Sequence, residues 1–141
     1  MHTPEGLVGI VDRFDHVSIA VADVADAAPL LTLLGAERVD GGHAPAGGFD
    51  WVQYRLPGGA RLELIATRDD DPQHFISRFL TERGAGLHHL TFRVEDIHRA
   101  AEAASRAGFE IVGLDDTDPE WKELFLHPRS ANGVLIQLAE F

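Results

Sequence analysis

The sequence predicts an α+β fold of two tandem βαβββ modules that build one curved mixed sheet. Three observations carry that prediction. The stretch Phe14-Asp15-His16-Val17-Ser18-Ile19-Ala20-Val21-Ala22-Asp23 recurs 73 positions later, where His16 falls on His89, Ser18 on Thr91, Val21 on Val94 and Asp23 on Asp96. Arg61-Leu62-Glu63-Leu64-Ile65-Ala66 has its own echo in Leu135-Ile136-Gln137-Leu138-Ala139, with Glu63 on Gln137 at a shift of 74. In both copies the alternating strand runs straight into an acidic helix start, Asp23 or Asp96.

The chain of 141 residues is expected to form a single domain, with module one at 13–67, a linker helix at 68–85 and module two at 86–141. A net charge of −11 argues against a general nucleic-acid binder, which needs a basic face. No apolar run approaches the length of a membrane span, and the N-terminus lacks a basic region followed by an apolar one. The absence of cysteine excludes disulfides and thiolate metal sites, and fits a cytoplasmic enzyme. The runs Asp69-Asp70-Asp71 and Asp115-Asp116 are expected to be solvated loops.

Taken in order, residues 2–6 are expected to fray and 7–11 to form an edge strand or an ordered arm. Residues 14–21 alternate, with Val17, Ile19 and Val21 on a face for helices to cover. Phe14, His16, Ser18 and Ala20 occupy the other face, which is too polar for a sealed core and so is expected to line a cavity. Asp23 caps a helix with the apolar stripe Val24, Ala27, Ala28, Leu31 and Leu34; Pro29 kinks it or marks an irregular start, and Gly35 stops it. Residues 36–40 are a strand, 41–48 a glycine-rich loop with Pro45, and 51–56 and 60–66 a hairpin about Pro57-Gly58-Gly59. After Pro72, the spacing of Phe75, Ile76, Phe79 and Leu80 predicts a helix over 74–83. Module two repeats the order with strand 87–94, helix 96–107, the Gly108 stop, strand 109–114, a loop with Pro119, strand 122–127, turn 128–133 and strand 134–140.

Each module thus offers one histidine from its first strand and one oxygen side chain from its last. His16, Glu63, His89 and Gln137 form a mixed nitrogen and oxygen donor set for a divalent metal ion (zinc, nickel, cobalt, manganese or iron), with positions left for water or substrate oxygens. A metal there acts as a Lewis acid on a carbonyl, so that the neighbouring C–H becomes acidic. His88 has the opposite strand parity to His89 and is expected towards the helices or an interface. His2, His43, His74, His98 and His127 lack partners in the repeat and are read as ordinary. Trp51, Trp121 and Phe125 are read as core or rim residues, and Gln53 and Arg61 share the parity of pocket residues.

Asp15-His16-Val17-Ser18-Ile19-Ala20-Val21, Gly86-Leu87-His88-His89, Phe125-Leu126-His127-Pro128-Arg129-Ser130 and Gly133-Val134-Leu135-Ile136 resemble segments of the vicinal oxygen chelate superfamily. The resemblance spans 14–140 and is strongest to the methylmalonyl-CoA epimerase branch. It implies metal ligands at His16, Glu63, His89 and Gln137, an epimerase or isomerase reaction beside a metal-chelated carbonyl, and a homodimer. The epimerases typically carry glutamine, or sometimes glutamate, on the fourth strand and glutamate on the eighth, whereas this chain has Glu63 on the fourth and Gln137 on the eighth. Their base glutamate lies on the third strand, five residues before the turn. That count from Pro57 reaches Val52, while the same count from Pro128 reaches Glu123. If both counts hold, Glu123 is the general base, with ligand carboxylate and base exchanged together between the modules; the alternative is a solvated strand-edge carboxylate beside Lys122.

Three alternatives stay open on the same scaffold. A glyoxalase-like lyase would use Glu63 itself in catalysis. A ring-cleaving dioxygenase would hold ferrous iron with two histidines and Glu63, although the dioxygenases take their carboxylate from the last strand. A non-catalytic small-molecule-binding, resistance-type protein would not need the ligand set. The epimerases usually have a glycine-rich stretch before the seventh strand where this chain has the bulkier, charged Asp118-Pro119-Glu120-Trp121-Lys122, so the small-molecule substrate, an acyl-CoA or another carbonyl compound, is expected to differ from methylmalonyl-CoA. Arg129 is expected to meet a phosphate or to decorate its turn.

Overall fold

A computed structural model describes residues 6–44, 47–68 and 71–141. His2, Pro45, Asp69, Asp70 and the first residues of the expected frayed segment lie outside them. The order is β1 Val11–Ala20, a 3-10 turn Val24–Ala27, α1 Ala28–Leu33, β2 Glu37–Ala44, β3 Phe49–Arg55, β4 Arg61–Thr67, α2 Phe75–Arg83, β5 Gly86–Val94, α3 Ile97–Arg106, β6 Ile111–Asp118, β7 Trp121–Leu126, a 3-10 turn Pro128–Ser130 and β8 Ile136–Glu140. The α+β class and the doubled βαβββ order are as expected. No helix among the described residues is long and apolar enough to cross a membrane.

The chain divides into two compact units, residues 16–88 and residues 1–15 with 89–141. In the first, the strand order is β2-β3-β4-β1, antiparallel except for the parallel pair β1 and β4, which aligns Ser18 with Glu63. In the second, it is β5-β8-β7-β6, again antiparallel except for the parallel pair β5 and β8, which aligns Thr91 with Gln137. The shifts of 73 and 74 are therefore those of the pairing itself.

One sheet face in each unit buries a helix stripe. Leu31 of α1 packs with Val17, Ile19, Val21, Leu62 and Leu64. Ile97, Ala100 and Ala104 recur at helical spacing along α3 and pack with Val94, Leu124 and Leu138. Asp96 starts α3 by accepting from the backbone N–H groups of His98 and Arg99 at 3.0 and 3.1 Å. Asp23 caps only the 3-10 turn, because Pro29 in the first turn of α1 supplies no N–H and is tolerated only there. The irregular start is thus the outcome of the two offered for Pro29.

Four boundaries correct the sequence expectations. Residues 6–10 form a turn, with Ile10 and Val11 N–H both on the Leu7 carbonyl, in place of the edge strand, one of the two forms expected there, and β1 begins at Val11, ahead of the expected Phe14. Residues 41–44 of the expected loop 41–48 are strand: β2 runs to Ala44, and Gly41 and Gly42 pair with Val52 and Trp51. A side chain at Gly42 would come within 3.3 Å of the Trp51 indole, so glycine here makes room for a ring. β6 likewise runs through Asp115 and Asp116 to Asp118, as an edge strand exposed along nearly its whole length. β8 starts at Ile136, two residues later than expected.

Candidate functional site

The polar face of each unit carries its buried hydrogen-bonding side chains. In the first unit, His16 on β1 is 1% exposed and its Nε2 lies 3.4 Å from Glu63 Oε1 on β4. Ser18 donates its hydroxyl to the same Oε1 at 2.7 Å, and Gln53 Nε2 donates to Oε2 at 3.0 Å. Gln53 Oε1 in turn accepts from Arg61 Nη1 at 3.1 Å. Burial pushes the Glu63 carboxyl pKa up, but the His16 imidazole and the donors from Gln53 and Ser18 outweigh it and hold the group below the usual range. Glu63 is held as a buried carboxylate beside an imidazole.

The second unit repeats the plan with a neutral side chain. Thr91 on β5 donates to Gln137 Oε1 on β8 at 2.6 Å, and Gln137 Nε2 donates to Glu123 Oε1 on β7 at 3.2 Å. Trp121 Nε1 donates to that oxygen at 2.7 Å, and the indole stacks on Phe141. Burial raises the Glu123 pKa and the opposed Asp115 carboxylate adds to it, against the two donors. The His89 ring stands edge-on to Phe125, centroids 6.2 Å apart.

Register corrects the count along the third and seventh strands. Glu123 pairs with Ala139 and Trp51 pairs with Ile65, which are equivalent at the shift of 74, so the counterpart of Glu123 is Trp51. Val52 matches Leu124, on the buried helix side. The turns after the two strands differ, and counting from proline misses the true position by one residue. Trp51 packs beside Ile65 and Ile76 and has no acid-base chemistry to offer.

His88 packs against Phe75 and Phe79 of α2, as its parity predicts; burial chiefly, and Arg83 nearby, lower its pKa. His74 caps α2 and bonds the Gly47 carbonyl, His98 meets Asp116, and His127 caps the Pro128–Ser130 turn. Arg129 is taken up by both oxygens of Glu110, at 2.9 Å each. A groove of about 400 Å³ in the first unit, lined by Val21, Ala27, Leu30 and Leu80, contains none of the expected ligands. Ser18 and Thr91 were not singled out from sequence as site residues, although their equivalence at the shift of 73 was visible.

Residues 15–125 match the glyoxalase/bleomycin resistance protein/dioxygenase superfamily. The chain belongs to that superfamily. It is the vicinal oxygen chelate family to which the motifs pointed. Among characterised members of this superfamily, the chain is 33% identical over 136 residues to the ethylmalonyl-CoA/methylmalonyl-CoA epimerase of Cereibacter sphaeroides, covering 93% of this chain and 99% of that one. It is 30% identical to the human mitochondrial methylmalonyl-CoA epimerase, covering 96% of this chain and 77% of the relative. The crystal structure of methylmalonyl-CoA epimerase from Mycobacterium tuberculosis superposes with a TM-score of 0.80 at 31% identity, covering 93% of this chain and 89% of that one.

The donors present suit the divalent cation expected in this superfamily. Glu63 is a carboxylate at neutral pH, and the Gln137 carbonyl has a second lone pair beyond the one that Thr91 occupies. Imidazole, carboxylate and amide oxygen together match borderline first-row ions rather than soft ones.

Proposed function

We propose that this chain is a metal-dependent epimerase that moves the proton beside the carbonyl of an acyl-CoA thioester. In this reading His16, Glu63, His89 and Gln137 hold one divalent cation and Glu123 is the general base. The observation that carries it is the doubled hydroxyl clamp. A buried Ser18 or Thr91 pins an oxygen side chain, Glu63 or Gln137, at repeat-equivalent positions two residues beyond a histidine. The substrate class comes from the relatives named as ethylmalonyl- and methylmalonyl-CoA epimerases.

A divalent cation bound there supplies the Lewis acidity that makes a C–H beside a carbonyl acidic. Ser18 and Gln53 hold the two Glu63 oxygens in place, so that side chain needs little reorganisation. Trp121 and Gln137 both donate to Glu123 Oε1, while Oε2 has no hydrogen bond among the described residues. Oε2 is then the oxygen that takes the proton, and the raised pKa makes it a stronger base than an exposed glutamate. A proton from solvent, delivered to the opposite face of the carbon while Glu123 gives its own proton to solvent, completes the inversion.

CoA thioesters are intracellular, and on that ground a cytoplasmic location is proposed. A homodimer is proposed from the prevalence of twofold assemblies. Elemental analysis of the purified protein tests the ligand set. One divalent ion per chain is expected, with loss in His16→Ala and in His89→Ala separately. A protein that takes up no divalent ion and is indifferent to chelator contradicts the reading.

A further inference from the structure

Both oxygens of Glu63 are held, and by unlike means. Oε1 lies on the His16 side, 3.4 Å from Nε2, and accepts the Ser18 hydroxyl at 2.7 Å. Oε2 accepts from Gln53 Nε2 at 3.0 Å, and Gln53 Oε1 accepts from Arg61 Nη1 at 3.1 Å. The hydroxyl clamp recurs in the second unit, but the amide and the guanidinium do not. By register the counterpart of Gln53 is Phe125, which faces Gln137 as Gln53 faces Glu63, and at the shift of 74 the counterpart of Arg61 is Leu135. The extra pair therefore accompanies the charged acceptor alone, and it lies with His16, Ser18 and Glu63 inside the first unit.

Arg61 weakens the strand pairing on which it sits. It lies directly across the β3/β4 ladder from Arg55, a like-charge pair that costs stability, and Glu37 pairs with Arg55 at 3.1 Å rather than with Arg61. What Arg61 does instead follows from donor chemistry. A glutamine side chain can turn either end towards Glu63, and its oxygen there would face a carboxylate. A guanidinium has five N–H donors and no acceptor, so only the oxygen of Gln53 fits beside Arg61, and the amide N–H groups must face Glu63. Gln53 is only 9% exposed, so water cannot readily satisfy the reversed amide.

We propose that Arg61 is a positioning residue for Glu63. Acting through the Gln53 amide, it ties Oε2 back, keeps Oε1 turned to the His16 side and so tightens the hold of Glu63 on a divalent cation. The cation rests on the proposed metal site; the relay rests on the bonds among Arg61, Gln53 and Glu63. Loss of a partner that orients a ligating side chain typically costs about tenfold to a hundredfold in metal affinity. The sign of the effect separates the relay from simple charge. A guanidinium repels a nearby cation, so by Coulomb's law alone its removal strengthens metal binding, whereas loss of the relay weakens it.

The test titrates cobalt(II) alone into the metal-free full chain, in competition with a chelator of known affinity. Arg61→Met and Gln53→Leu should each weaken cobalt binding by about tenfold to a hundredfold. The double variant should bind no more weakly than the weaker single one, because the two residues act in series. Arg61→Lys, which keeps a donor, should recover part of the loss. Arg55→Met, which removes the facing charge, should not weaken binding. If Arg61→Met does not fold, Arg61→Leu, with the residue that the second module carries there, makes the same comparison. A second readout needs no metal: in the cation-free chain the Gln53 side-chain amide protons, followed by NMR, should lose their protection from solvent exchange in Arg61→Met. A wild type that takes up no cobalt defeats the metal reading, and the amide protons then decide the relay. Equal cobalt affinity in wild type, Arg61→Met and Gln53→Leu, or tighter binding in Arg61→Met, overturns the proposal and leaves the metal reading standing. Gln53 amide protons indifferent to Arg61 overturn it as well.

Discussion

Ser18 donates its hydroxyl to Glu63 across the parallel pair β1/β4 at 2.7 Å, and both residues are buried. Thr91 makes the same bond to Gln137 across β5/β8 at 2.6 Å. The two units thus share one hydrogen-bonding frame around different charges: the acceptor is a carboxylate in one and an amide in the other.

That difference sets their energetic weights. A hydrogen bond to a charged acceptor contributes about 1.5–3 kcal/mol, against about 1 kcal/mol between neutral groups. Ser18→Ala should therefore cost about 2 kcal/mol and Thr91→Val about 1 kcal/mol, read from urea unfolding of chelator-treated protein. Equal costs would show that the Glu63 carboxylate gains nothing from its clamp.

The two glutamates should shape stability against pH in opposite directions. The Glu63 pKa is depressed in the folded chain, so its contribution is present above the unfolded value of about 4.3 and is lost as pH falls through the folded value. The Glu123 pKa is raised, so its contribution is present below about 4.3 and is lost as pH rises towards the folded value. Relative to wild type, Glu63→Gln should be less stable at pH 7 than at pH 3, and Glu123→Gln more stable at pH 7 than at pH 4. Paired thermal melts in chelator measure both; slopes of the same sign contradict the assignment.

Trp121 should act on the reaction through Glu123. Trp121→Phe keeps a ring to stack on Phe141 but deletes the N–H that holds Glu123 Oε1. A fall of about tenfold in kcat with KM nearly unchanged is expected, since the lost bond positions the base rather than the substrate. A change confined to KM would place Trp121 against the substrate instead.

Asp96 should be the more valuable of the two repeated helix caps. It satisfies two backbone N–H groups of a ten-residue helix, whereas Asp23 satisfies one on a short turn. Asp96→Ala should lower stability by about 1 kcal/mol and Asp23→Ala by clearly less, by chemical denaturation.

The repeat was legible because β1, β4, β5 and β8 alternate between a helix-covered face and a polar one, and that periodicity survives in the residue order. It puts His16 and His89, and Glu63 and Gln137, at equivalent positions in the residue order alone. The far ends of the two edge strands, β2 and β6, were not legible for the opposite reason. Gly41 and Gly42 look like loop residues, yet they pair with Val52 and Trp51 of β3, and Gly42 leaves room for the Trp51 ring. Asp115, Asp116 and Asp118 extend β6 without any apolar alternation, since both of its faces are largely exposed. The counterpart of Glu123 was missed by one residue because turn length, unlike ladder register, is not kept between the modules. Gln53, Ser18 and Thr91 emerge as partners only once strand neighbours are known, since each acts across 10 to 46 positions of chain.

The most direct test of the central claim is hydrogen exchange at the α-carbon of methylmalonyl-CoA in deuterated water, followed by proton NMR. The metal-loaded wild type should exchange it, chelator should abolish the exchange, and Glu123→Gln should slow it by about 10²-fold, a typical contribution of a general base. Exchange by Glu123→Gln at the wild-type rate, or by chelator-treated protein at the metal-loaded rate, would contradict the account.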